Sequence, residues 1–196
     1  MTQLTGGGAP MLGEPLPIEL ANTTYAVRGR PQDGLRTSEQ LAVWLRDVRA
    51  RLPVTLTDAD LRTVTDADLA VARELRVVVR SMADAIVQDR AVDPDLVAAL
   101  NRQVRRAPRW RELTLAPDPR AEVRSEARPV TAALAALAEE AVELFAGPAH
   151  HELHACPGPG CVLYFLRNHP RREWCSPVCG NRARAARHYA KTKRAG

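Results

Sequence analysis

Aromatic residues make up only 4% of this 196-residue chain, so a hydrophobic fraction of 45% must build its core from leucine, valine and alanine. No stretch approaches the roughly 18 uncharged apolar residues that a membrane span needs, so no membrane association is expected. The opening, MTQLTGGGAPMLGEPLP, has no basic start followed by an apolar run, which argues against a secretory signal and for a cytoplasmic protein. No Ser/His/Asp order or paired-carboxylate motif stands out, and the scattered aspartates sit where helix caps belong. An enzyme is therefore not expected. The length suits one domain of ordinary size plus a small module.

Cysteine is absent until Cys156, and then four arrive together. Cys156 and Cys161 form a C-x4-C pair, Cys175 and Cys179 a C-x3-C pair, with thirteen residues between. Each pair can bite an ion from one short loop while the spacer brings the loops together. In a reducing compartment such thiols hold metal rather than disulfides. One structural zinc with four thiolate ligands is the expected occupant, because four sulfurs leave no open position for a reacting water. Four cysteines alone also suit an iron–sulfur cluster, the lesser alternative. His154, two residues before Cys156, is read as solvent-facing or supporting rather than as a ligand, and His150 and His151 as linker surface.

Charge follows the same division. From Arg167 onward stand nine basic residues against Glu173 alone, while the rest of the chain holds 19 basic and 22 acidic residues. A basic module on a slightly acidic body points to an anionic partner for the module only.

The body reads as helical. Residues 1–16, rich in glycine and proline, are expected to be a disordered tail, and residues 28–34 a loop. Thr37 with Gln40 opens a helix with Leu41, Trp44, Leu45 and Val48 on one face. Thr57/Asp60 and Thr65/Asp68 are further start signals, the second leading into Leu69, Ala72, Leu75, Val79, Met82 and Ile86. Asp93-Pro94 and Pro129 open two more helices. Between them, Trp110, Leu113, Leu115 and Val123 flank Pro117-Asp118-Pro119 as a small hairpin. Trp44 reads as core and Asn22 as a turn or cap; a ligand pocket around the pair is the alternative reading.

In the module, the glycines and prolines of 157–160 let a knuckle fold tightly between the first two cysteines. Val162–Leu166 reads as a strand, Asn168-His169-Pro170 as the turn of a short hairpin, and the second pair as the start of a final helix. That resembles a treble-clef layout. On the final helix Arg184, Arg187, Lys191 and Arg194 share a stripe, with His188 at its edge and Ala183, Ala186 and Ala190 alongside. Cations in such a row suit the phosphates of double-stranded DNA, with Asn181, Arg182 and Arg184 as candidate base readers.

Trp174-Cys175-Ser176-Pro177-Val178-Cys179-Gly180-Asn181-Arg182 resembles the motif of the CGNR zinc-finger family, and Arg171 and Arg172 match its paired basic residues. Two departures are visible. Glu173 is inserted before the tryptophan, and Phe165-Leu166-Arg167-Asn168 is shorter than the family's stretch and lacks its aspartate. Leu20-Ala21-Asn22-Thr23 and Leu41-Ala42-Val43-Trp44-Leu45 are similar to the start of the ABATE domain that usually precedes this finger. The resemblance implies a bacterial DNA-binding transcriptional regulator, with Arg171 and Arg172 joining the contact residues. It also implies an N-terminal domain that dimerises or senses a small-molecule or protein signal. An interaction adaptor whose basic face docks an acidic protein is the alternative. The expected architecture is mainly α, or α+β with a small hairpin. It comprises a tail (1–16), an ABATE-like helical domain (17–150) and a zinc finger with a basic helix (151–196).

Overall fold

A computed structural model describes residues 3–4 and 8–195, with side chains described over 8–190 and at Thr192. Among the described residues, seven α-helices carry the fold: α1 (Leu16–Ala21), α2 (Ser38–Val48), α3 (Asp58–Leu61), α4 (Asp66–Val87), α5 (Pro94–Val104), α6 (Pro129–Ala146) and α7 (Pro177–Ala195). Eight short strands among them pair as four separate antiparallel ribbons: β1 (Gln3–Leu4) with β2 (Pro10–Met11), β3 (Thr24–Val27) with β4 (Arg30–Asp33), β5 (Trp110–Thr114) with β6 (Arg120–Arg124), and β7 (Leu153–Ala155) with β8 (Tyr164–Leu166). The fold is mainly helical with small strand pairs, as the sequence implies.

The helix starts lie where their caps are written. Thr57 with Asp60 and Thr65 with Asp68 form complete capping boxes, and Thr37 Oγ1 accepts the Gln40 N–H. Proline holds the first position of α5 and α6, where no N–H is needed. α6 is the centre of the body. Its run Ala132 to Ala138 is buried on every face, and so many methyl-sized side chains let α1, α3, α4 and α5 approach closely. Leu41, Trp44, Leu45 and Val48 of α2 all turn into this core. The 110–124 hairpin forms in the register Trp110↔Arg124 through Thr114↔Arg120.

Three expectations change. Residues 8–16, assigned to a disordered tail, are folded: Ala9, Glu14 and Leu16 are buried. Glu19 explains much of this, because its carboxylate accepts the N–H groups of Leu12 and Glu14 and ties the segment to α1. The other residues of that tail's expected range, apart from the β1 backbone, lie outside the described residues. Residues 28–34, expected as a loop, hold the turn and second strand of the β3–β4 hairpin; its tip, Arg28-Gly29, has φ of 52° and 77° at both central positions, a two-residue turn of primed type. Finally, the ribbon of the tail module is not closed by Asn168-His169-Pro170. Its first strand, β7, precedes Cys156, so the knuckle itself is the loop joining β7 to β8.

Candidate metal centre and nucleic-acid face

The knuckle and the start of α7 bring Cys156, Cys161, Cys175 and Cys179 together with all four sulfurs within 4.8 Å of one another. Cys161 and Cys175 Sγ stand 3.9 Å apart, Cys175 and Cys179 Sγ 3.5 Å. A tetrahedron of sulfurs at about 2.3 Å from zinc has edges of about 3.8 Å. The donor set therefore fits the ion in both chemistry and size, and zinc is held here as a closed structural centre.

Backbone geometry makes the cluster possible. The Cys156 N–H donates to the Leu163 carbonyl (2.8 Å) and the Cys161 N–H to the Gly158 carbonyl (2.9 Å), which closes the knuckle. Gly158 faces the sulfurs so closely that a Cβ there would stand 3.1 Å from Cys179 Cβ and 3.3 Å from its Sγ. On the other side Ser176 Oγ accepts the Cys179 N–H (3.4 Å), and Pro177 opens α7. The helix N-terminus favours negative charge at Cys179. Two further donors reach the sulfurs: the Cys175 N–H to Cys156 (3.5 Å) and Arg182 Nη2 to Cys179 (3.0 Å).

Three of the thiols perturb one another. Hydrogen bonds from Cys161 and Cys175 draw the Cys156 thiol down, to about 2. The same hydrogen bond to Cys156, aided by burial and by the charge there, pushes Cys161 up to about 12, and Cys175 upward as well. Four thiolates cannot coexist at this spacing without a cation among them, and zinc supplies the positive charge that keeps all four ionised.

The finger is joined to the helical body by buried polar contacts. Asn22, fully buried at the end of α1, donates Nδ2–H to the Tyr164 carbonyl and accepts the Tyr164 N–H at Oδ1, both at 2.9 Å. It thus grips β8 as a neighbouring strand would. Glu14 Oε2 accepts the Leu166 N–H (3.0 Å), and its other oxygen pairs with Arg172. Arg80 of α4 donates to the Val162 carbonyl (3.1 Å) and lies over the Tyr164 ring. Leu153 and Tyr164 are packed in the main core, while Leu12 and Tyr25 pack against the metal cluster.

These contacts decide how four candidate residues are used. Asn22 caps α1 and spends its amide on β8, and Trp44 is enclosed at 1% exposure in the core, the first reading of each in the sequence. A cleft of about 580 Å3 lies between α6 and the base of β5–β6, beside Arg109, Trp110, Arg111, Val123, Glu139 and Glu143. Arg172 is not a free cation for DNA, because Glu14, the Leu166 and Cys175 carbonyls and the face of Phe165 hold it inside. Arg182 is bound to the Cys179 sulfur. Periodicity gave no warning, since a charged side chain aimed inward looks the same in sequence as one aimed at water.

The other described candidates on the finger face solvent. Arg171, Asn181, Arg184, Arg187 and His188 are exposed, with Arg184 donating to Asn181 Oδ1. Past Ala183 every described side chain of α7 is exposed, including Tyr189. The side chains of Lys191 and Arg194 lie outside the described residues, although their backbone continues the helix. His154 is half-buried on β7 beside Phe165 and is not among the clustered ligands. No helix among the described residues is long and apolar enough to cross a membrane.

A helical body locked to a four-cysteine finger with a projecting basic helix defines the class, a zinc-finger protein of two joined parts. Comparison with known families then matches residues 14–148 to ABATE, described as "putative stress-induced transcription regulator", and residues 152–192 to the CGNR zinc finger. The chain belongs to the ABATE family, with a CGNR zinc finger as its C-terminal part. No curated protein matches it.

Proposed function

We propose that the protein is a non-enzymatic, cytoplasmic transcriptional regulator that binds double-stranded DNA through α7. The carrying observation is the helix itself. From Pro177 to Ala195 it has no acidic residue, and beyond Ala183 its described side chains are all exposed. A basic helix that buries no face beyond its root gains little from projecting alone, but it suits a groove lined with phosphates. Arg184 and Arg187 supply phosphate contacts, with Arg171 beside them, and Asn181 offers a donor and acceptor for a base edge. Lys191 and Arg194 follow in the sequence of the same helix, and His188 adds a ring N–H donor. Zinc holds the root of the helix at a fixed angle. Sensing belongs to the ABATE part, where the cleft beside Trp110 is the candidate entry point for a small-molecule signal, and dimerisation would pair two such helices on adjacent half-sites.

The test is titration of a fluorescent duplex with the full chain across rising salt. Binding should weaken by about 0.9 logarithmic units per phosphate contact for each tenfold rise in salt. Arg184→Ala with Arg187→Ala should flatten that slope by about 2. Salt-independent binding, or an unchanged slope in the double variant, sinks the reading. Partners that persist after nuclease treatment would favour the adaptor instead.

A further inference from the structure

Resting on the DNA-binding reading above, we infer that the β3–β4 hairpin of the ABATE part is a second phosphate-contacting element, a wing that acts through Arg28 and Arg30. Three observations carry this.

The first is position. The hairpin tip touches the metal knuckle: a Cβ built on Gly160 would stand 3.2 Å from Gly29 Cα. Gly160 itself adopts φ of 69°. Tyr25 of β3 packs on the metal cluster, so the hairpin is anchored to the root of α7 through the same zinc-ordered knuckle. At 100° per residue, Ala186 and Ala190 continue the side of α7 on which Cys179 and Ala183 face the knuckle. Both alanines are exposed and lie on the side of α7 that carries Cys179, whose Cβ and Sγ stand against Gly158 of the knuckle. A duplex laid along that small-residue strip would meet the body where the knuckle and hairpin tip stand.

The second is charge. Arg28 and Arg30 are exposed, and among the described residues neither guanidinium is engaged by a hydrogen bond or ion pair, whereas the hairpin's acid, Asp33, is already held by Arg76. The tip is therefore a local excess of positive charge.

The third is conformation. Arg28 sits in the left-handed region, where glycine, asparagine or aspartate is the unstrained choice for the first central residue of this turn. Among the described residues the other non-glycine case is Asp89, a residue that tolerates the conformation. A long cation kept at a position that disfavours it argues for a use of the cation rather than of the turn.

The experiment compares full-length wild type with Arg28→Asn/Arg30→Gln, and with a charge-matched control, Arg102→Gln/Arg105→Gln at the C-terminal end of α5, on one fluorescent duplex across a salt series. Asparagine is at ease in the left-handed region, so the wing variant should melt at or above the wild-type temperature. It should nevertheless lose 1 to 2 units of the salt slope, about 0.9 per lost contact. Lower affinity at equal or higher stability is a pairing that a purely structural role would not produce. A wing variant with the slope of the control overturns the wing and leaves the α7 reading standing. Wild type that binds no duplex at low salt overturns both.

Discussion

Asn22→Ala tests whether the finger and the helical body fold as one unit. The change deletes two hydrogen bonds sealed from water and strands both the N–H and the carbonyl of Tyr164. Asn22 is 0% exposed and Tyr164 7%, so water can reach the stranded groups only if β8 moves away from α1. Each buried orphan costs about 1–3 kcal/mol, which puts the expected loss from the two at roughly 2–6 kcal/mol. That is a large part of the roughly 5–15 kcal/mol that usually separates folded from unfolded domains. Urea unfolding followed by far-UV circular dichroism measures the loss, and transfer of zinc to a chromogenic chelator in mild urea follows the finger separately. The midpoint should fall and zinc transfer should quicken in the same variant. A loss below about 0.5 kcal/mol, the ordinary size of a neutral surface change, would refute the argument. So would faster zinc transfer from a body of unaltered stability.

Gly180→Ala should cost about 1–3 kcal/mol by overpacking, because the new Cβ would lie 3.0 Å from Trp174 Cδ1 and the indole must shift; a denaturant midpoint and a tryptophan emission maximum equal to wild type would contradict this. Burial raises the Glu14 pKa above 4.5 despite the Leu166 amide and Arg172. The folded state then holds this proton more tightly than the unfolded chain, so the contribution of Glu14 is full below pH 4.5 and declines as pH rises through the raised value. Glu14→Gln should therefore gain stability relative to wild type as pH rises through that window, and chemical denaturation at stepped pH that shows the opposite slope would exclude it.

What could be read in the sequence was whatever a residue does to its near neighbours. Thr57 with Asp60, Thr65 with Asp68, and Pro94 and Pro129 each act within a turn, so helix starts were visible from the chain alone. The four cysteines were visible for another reason: that spacing has few uses besides holding an ion. What was hidden depends on distant partners. Glu14 and Arg172 are 158 positions apart, and neither carries a mark saying it will be enclosed. Asn22 and Tyr164 are 142 apart, and an asparagine after a short helix looks like any cap. The β3–β4 hairpin was masked by its own composition, since Arg28-Gly29 is not the usual Asn-Gly and Pro31 stands inside the second strand. β7 escaped notice because three residues are too few to show alternation.

The grip of Asn22 on β8 also bears on how such a finger could be inherited or engineered. A cassette cut at residue 152 and transplanted would carry the amide and carbonyl of Tyr164 away from the asparagine that answers them, and Arg172 away from its carboxylate. Its recipient would have to supply a matching edge, a buried acid and an apolar seat for Leu153. Recombination should therefore keep the two segments of this protein together, and a graft that works should be one that brings α1 along.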